Sequence, residues 1–354
     1  MPIESKSYAG SIEKSLTTVF STKTVLVTGG SGFLGNALAK KLLSLGSKVK
    51  TFSRSNVETL GANHTHFCGN IVNSVETQQA VEGVDLVFHA AAMTHYWGAY
   101  EDFYNVNVIG TQNILQACKH FNVPDLVYTS TPSVAYTAKE NIRNQKEQLA
   151  YLSNYLSHYP STKAIAEQEV LNAEQLNTIA LRPHLIWGKG DPHILPRLID
   201  TAKQGKLFRM GNTNPTVDMT HVDNAVEAHI AAAKALFNKN KKAIGQAYFI
   251  SDDNPVQIWT WLNHLLNELE MKSIESHIPL NVANGLGHFL EILYKTFPFK
   301  GEPRLTRFLV NQLAHDHFFD ISKAKNLLSY KPVVNYEQTL EEYIHHLKGH
   351  YSNS

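Results

Sequence analysis

Cysteine is scarce in this chain: Cys68 and Cys118 are the only two among 354 residues. So few cannot build a disulfide framework or a multi-cysteine structural zinc site, and they fit a reducing compartment. Long apolar runs are missing too, and nothing approaches the roughly 20 residues a membrane-spanning helix needs. The segment 1–22 is a polar N-terminal extension without the apolar core of a secretory signal, so a cytoplasmic protein is expected. Charge of one sign is not in excess, with 32 Lys and Arg against 31 Asp and Glu. That balance gives no general field toward nucleic acid or an anionic membrane. There is no internal repeat and no low-complexity linker. What remains is a chain that is 43% apolar, enough to bury one large core or two smaller ones.

The first positive signal follows the polar extension. Thr24-Val25-Leu26-Val27-Thr28 reads as a short buried strand. It leads directly into Gly29-Gly30-Ser31-Gly32-Phe33-Leu34-Gly35, then into a helical pattern that ends near Gly46, with a second strand over 49–52. Glycines between a strand and a helix suit a dinucleotide. One permits the tight turn, one lets the backbone approach a pyrophosphate, and the last lets helix and strand pack closely. Free N–H groups at the helix start hold the phosphates.

The end of the second strand distinguishes the two nicotinamide dinucleotides. An NAD site commonly carries Asp or Glu there to accept from the ribose 2′-OH. This chain has Phe52-Ser53-Arg54-Ser55 instead. Ser53 and Arg54 can donate to a 2′-phosphate that a carboxylate would repel, so NADP(H) is expected in preference to NAD(H).

Beyond this point strands and helices alternate. Strands are expected at 84–89, 126–131 and 177–181, and helices at 103–120 and around Ala164 to Leu171. Ala90-Ala91-Ala92, at the end of one strand, leaves room for a cofactor. Repeated strand–helix units give an α/β fold, a Rossmann-type doubly wound parallel sheet with its ligand at the carboxyl ends of the strands. The alternation fades after about Arg182, where prolines multiply. Residues 23–182 are therefore assigned to the NAD(P)-binding domain. Residues 183–349 are assigned to a smaller, partly discontinuous substrate lobe, with 245–251 returning to the main sheet.

Tyr159-Pro160-Ser161-Thr162-Lys163 places a lysine four residues after a tyrosine at a helix start, on the same helical face. A free phenol titrates near 10, too high for an efficient acid or base near neutrality. A nearby ammonium favours phenolate and is expected to bring that value down. No other tyrosine of the 15 has a lysine at this spacing. A third group should hold the carbonyl oxygen. Thr131, at the tip of the preceding strand, is the first choice, with Ser130 and Ser133 as alternates.

These motifs together resemble the extended short-chain dehydrogenase/reductases, which join Thr-Gly-x-x-Gly-x-x-Gly to Tyr-x-x-x-Lys and an upstream Ser or Thr. Residues Thr28 to Gly35, Thr131, Tyr159 and Lys163 match position by position. Asn107 matches the helix asparagine that supports the active site in that family. Asn70 stands where the family usually has Asp against adenine, and the resemblance places Ile71 and Pro183 beside the cofactor as well. Within the superfamily the chain resembles the 3β-hydroxysteroid dehydrogenase branch, through Val127 to Val134, Leu181-Arg182-Pro183-His184, Gly188 to Pro192 and Gly301 to Thr306. It resembles two groups of that branch in particular, the 2-alkyl-3-oxoalkanoate reductases of olefin synthesis and the sterol-4α-carboxylate 3-dehydrogenases. The likeness implies ketone–alcohol interconversion next to a carboxylate on a large apolar body, and a homodimer built from two helices of each cofactor domain.

Met93, Tyr96, Trp97, His184, Ile186 and Trp187 are the expected substrate contacts, although such runs also serve ordinary cores. Arg197, Arg304 and Arg307 are candidates for a substrate carboxylate. The apolar stripe over 284–297 suits a membrane interface, a pocket cover, or plain packing on the core or a dimer partner. No metal is expected, despite the alternating His64, His66 and Cys68. Two rival readings use the same fold: a nucleotide-sugar epimerase or dehydratase, and a non-catalytic NADP(H) sensor.

Overall fold

A computed structural model describes residues 18–137, 139–192, 195–297, 299 and 301–351. Most of the polar extension lies outside them. Its core is a sheet of seven parallel strands: β1 (Thr24–Thr28), β2 (Lys48–Ser53), β3 (His64–Cys68), β4 (Leu86–His89), β5 (Asp125–Thr129), then Asn177–Pro183 and Gln246–Ile250. Their spatial order runs β3-β2-β1-β4-β5, then Asn177–Pro183 and Gln246–Ile250 at the far edge. The order reverses between β1 and β4, so a crevice opens at their carboxyl ends. The central strands are buried on both faces, which is why they read as continuous Val/Leu/Phe runs. The expected return of 245–251 to this sheet is seen, Tyr248 pairing with Leu181 and Ile250 with Pro183.

The helix expected over 103–120 is broken. An α-turn at Tyr100–Phe103 passes into a π-segment, Tyr104–Ile109, and then an α-helix, Gly110–His120. Such bulges shift side chains around the helix and often mark functional positions. Here the bulge contains Asn107. The strand expected to reach Thr131 stops at Thr129, because Thr131 caps a one-turn 3₁₀ helix, Pro132–Val134, accepting from the Ser133 N–H.

The described chain beyond Pro183 is mainly helical apart from Gln246–Ile250 and short strands, with helices that include Leu195–Lys203, Ile258–Glu268, Leu280–Thr296, Arg307–Gln312 and Tyr336–Tyr351. Its core is built on Trp187, Trp259, Leu262 and Leu266. It is tied to the preceding chain by a small sheet in which His317–Phe319 pairs with Ile142–Gln145. Among the described residues no helix is long and apolar enough to cross a membrane.

Candidate active site

Gly29 leaves β1 at φ +71°, where a side chain would be strained, and a Cβ on it would approach Ala91 backbone atoms to 3.0 Å. A Cβ on Gly35 would strike the Gly29 carbonyl, so that glycine sets how closely helix Phe33–Ser44 packs on the turn. Gly32 is different: a Cβ there would meet only the Gly29 carbonyl, at 3.1 Å. Protein atoms do not crowd this position, and it borders the main cavity. Gly32 also caps the helix without any side-chain hydrogen bond, and the first turn holds no acidic residue. The free N–H groups and positive helix end are therefore left for an anion, which fits a pyrophosphate.

The cavity has a volume of about 1240 Å³. One end is walled by Gly29, Ser31, Gly32, Phe33, Leu34 and Gly35, then by Ser53, Arg54, Asn70 and Ile71. Ala90, Ala91, Ala92 and Pro183 form the middle with Tyr159 and Lys163. All the residues expected at the cofactor are thus brought to one space. Arg54 is exposed at its margin, and Ser53 donates to the Ser55 carbonyl at 3.0 Å. The other end is apolar, lined by Leu198, Phe208, Met219, Ile258, Leu290 and Phe308 among others.

Tyr159 and Lys163 project from the first turns of helix His158–Leu171. The Lys163 ammonium donates to the Thr129 carbonyl at 2.6 Å and sits 4.0 Å above the Tyr128 ring. Burial brings its pKa down to about 7, with Glu167 pulling the other way. The expected lowering of the Tyr159 pKa is not found. Burial pushes the phenol up, Tyr96 adds to the rise, and only a hydrogen bond with Thr131 opposes it. The physical reason is that Lys163 is directed to Thr129 and Tyr128, and burial weakens its hold on its own proton. A phenol that keeps its proton is a proton donor, the role a ketone reduction requires.

Thr131 reaches that phenol but does not line the cavity; Ser130 and Ser133 do. Asn107 is buried and also acts from behind the wall. Its Oδ1 accepts from the Met93 N–H at 2.8 Å, and its Nδ2 donates to Met93 O and to Thr162 Oγ1. Thr162 lies between Tyr159 and Lys163, so Asn107 fixes the helix that carries both. Met93 and Trp97 do not line the cavity: Met93 serves as this backbone anchor, and Trp97 packs edge-on against Tyr294. Trp187 borders the cavity but is 1% exposed, with its indole N–H on Asp252 at 2.9 Å, so it is largely core. Tyr96, His184 and Ile186 do line the cavity. Of the three arginines, Arg197 pairs with Glu302 at 2.7 Å and Arg307 with Glu291 at 2.8 Å, while Arg304 is exposed at the cavity wall. Among the described residues no cluster of His, Cys, Asp or Glu could hold a metal, and His64 and His66 share the Thr51 hydroxyl instead.

Sequence reasoning missed His89. The Ala91 N–H donates to Thr28 Oγ1, which donates to His89 Nδ1 at 2.8 Å. Nε2–H then donates to Thr111 Oγ1 at 3.0 Å, and Thr111 donates to the Asn107 carbonyl at 2.6 Å. Burial holds this ring neutral, with a pKa brought down to about 3, so the tautomer is set by its two hydroxyl partners. One chain of hydrogen bonds thereby joins the glycine turn to the bulge that supports Tyr159. No spacing in the sequence reveals it, because each link crosses between elements.

A Rossmann crevice with an open glycine turn, ending at a buried tyrosine–lysine pair, defines a nicotinamide-dinucleotide oxidoreductase of the short-chain dehydrogenase/reductase type. The chain belongs to the 3-beta hydroxysteroid dehydrogenase/isomerase family, whose sequence model matches residues 26–281. It is 39% identical to the 2-alkyl-3-oxoalkanoate reductase of Shewanella oneidensis, over 89% of this chain and 84% of that protein. It is 34% identical to the mouse sterol-4-alpha-carboxylate 3-dehydrogenase, decarboxylating, over 92% of each. Among solved structures, UDP-glucuronic acid 4-epimerase from Bacillus cereus in complex with NAD superposes with a TM-score of 0.69 at 22% identity, covering 93% of this chain and 99% of that one. That likeness speaks for the fold alone.

Proposed function

We propose that this protein reduces a ketone β to a carboxylate on a large apolar substrate, with NADPH as the preferred reductant. The carrying observation is that Tyr159 lines the same cavity as the glycine turn and the apolar side chains Leu198, Met219, Ile258 and Leu290. When bound, the reduced nicotinamide supplies the hydride for the carbonyl carbon. Tyr159 gives its proton to the carbonyl oxygen, Thr131 holds the phenol in register, and Ser130 and Ser133 offer hydroxyl donors on the same wall. Lys163 would hold the nicotinamide ribose, and the Gly29–Gly35 turn would hold the pyrophosphate. The apolar end excludes water and takes the hydrocarbon body. Relatives named for an oxoalkanoate and for a sterol carboxylate support a substrate of this class. The many Leu, Ile, Met and Phe side chains on this wall suit a hydrocarbon body better than a nucleotide sugar.

Several finer points belong to the same reading. Residues 23–182 form most of the cofactor domain, the remainder the substrate lobe, in a cytoplasmic enzyme of lipid metabolism. NADPH is preferred because Ser53 and Arg54 border the cavity where a ribose carboxylate partner would otherwise stand. Replacing Arg54 by Ala should lower kcat/KM for NADPH at least tenfold relative to NADH, which steady-state kinetics with both cofactors checks. An unchanged ratio would remove Arg54 from the discrimination. The assembly is a homodimer built from two helices of each cofactor domain. Light scattering should give twice the 39.6 kDa of one chain, and a value of one chain mass would contradict it. The enzyme reading itself is tested by cofactor consumption with a long-chain 2-alkyl-3-keto acid, a 3-ketosteroid and a 4-carboxysterol ketone. Turnover of the fatty keto acid supports it, and cofactor binding without consumption by any ketone would sink it.

A further inference from the structure

A polar cluster sits in the wall of the apolar lobe. His184 follows Pro183 directly, and its ring meets the His317 ring edge-on with centroids 4.7 Å apart. Both side chains line the cavity, at 4% and 1% exposure. The Tyr136 hydroxyl lies 3.4 Å from His184 Nε2 and accepts from Gln312 Nε2 at 3.0 Å. His317 Nε2–H donates to the Gln312 carbonyl at 2.7 Å. The Nδ1 of His317 is buried without a hydrogen-bond partner, while the His184 ring also meets the Asp218 backbone. Since Nε2 carries the proton of neutral His317, its Nδ1 is a bare acceptor. A buried acceptor with nothing to accept from is costly and points to a missing donor.

The cluster adjoins the catalytic loop. Tyr136 lies five residues after Thr131, and it hydrogen-bonds to Ser133, which faces the cavity. The cluster and Tyr159 thus line one cavity, joined through Ser133. We infer that His184 and His317, with Tyr136 and Gln312, form the subsite for the substrate's carboxylate, and that the acid enters with uptake of one proton shared between carboxylate and imidazole. The inference rests on the keto-acid reading above. The two rings are too close for both to be charged, so the uptake stops at one. The titratable groups around the pair are His315 and Asp316, which flank His317 in sequence and act in opposite directions, and Asp218. The Asp218 backbone lies against both rings' residues, and burial pushes its carboxyl up to about 7, so the ester serves as the reference for its protons. Without ligand, burial keeps both rings neutral at physiological pH. Protonation is thus left to accompany the acid, and linkage then weakens acid binding up to tenfold for each unit rise in pH.

The test uses the full enzyme saturated with NADPH and a long-chain 2-alkyl-3-hydroxy acid, which together form a complex that cannot react. Calorimetry in two buffers of different ionisation enthalpy counts the protons. The expected result is about one proton taken up per acid near neutral pH and none for the methyl ester. In H317N the uptake should vanish, and kcat/KM for oxidation of the acid with NADP⁺ should fall at least tenfold more than for the ester. If acid and ester bind alike with no uptake while the acid is turned over, the subsite is overturned and the keto-acid reading survives. If the ester or a ketosteroid is turned over and the acid is not, both fail. Tyr136→Phe supplies a second variant should H317N not fold, with the same larger loss expected for the acid.

Discussion

Tyr159→Phe should cut kcat by about a thousandfold while leaving the cofactor dissociation constant and the melting temperature close to those of the parent protein. Positioned proton transfer contributes roughly 10² to 10⁴ in rate, and Tyr159 combines a retained proton with a place on the cavity wall one helical turn from Lys163. The change removes one oxygen and no carbon, so packing is kept. The phenol's identified hydrogen-bond partner is Thr131, which also bonds Ser133, so little is orphaned. Rapid-quench turnover, cofactor titration by fluorescence and a thermal melt read the three quantities. Retained turnover would take the proton-donor role away from Tyr159. Loss of folding would show that the phenol is structural.

Glu167→Gln should cost about 3–5 kcal/mol of stability, the range found when one partner of a buried ion pair is removed. Glu167 is fully buried one turn beyond Lys163, and its carboxylate takes Arg182 Nε at 3.0 Å and Nη2 at 2.5 Å. The Tyr151 hydroxyl donates to the same carboxylate at 2.8 Å. Arg182 already has one buried nitrogen without a partner, so the guanidinium relies on this carboxylate for its compensation. Arg182 lies in strand Asn177–Pro183, immediately before Pro183 and His184, so the pair clamps helix His158–Leu171 to that strand. Urea unfolding of the two proteins measures the loss. A change under about 1 kcal/mol would mean the pair contributes no more than an exposed salt bridge.

The parts of the molecule that could be read in advance are those whose physics is local. β1 and the glycine turn were legible because a buried strand, a positive φ and a close helix approach each restrict residue type at fixed offsets. Tyr159 and Lys163 were legible because one helical turn separates them. The Thr131 strand end was misjudged: proline at 132 and the capping hydroxyl start a 3₁₀ turn, which local apolar content does not announce. The π-segment around Asn107 was also invisible, since what holds Asn107 there are side-chain bonds to Met93 and Thr162 on other elements. The direction of the Tyr159 pKa was misread because the sequence shows the lysine but not the burial. Met93 and Trp97 were assigned by adjacency to a strand end, and adjacency does not decide which side of a wall a residue occupies. The His184–His317 contact joins residues 133 positions apart, beyond any local rule.

Net transfer to a ketone is the central claim, and its most direct measurement is mass spectrometry of the product formed with NADPH carrying deuterium at the transferable position of the nicotinamide. With a long-chain 2-alkyl-3-keto acid the account predicts a hydroxy acid with one deuterium on the former carbonyl carbon, and one cofactor consumed for each acid reduced. Recovery of unlabelled ketone with no cofactor consumed would contradict it, and would move the chain toward transient, self-restoring use of its cofactor.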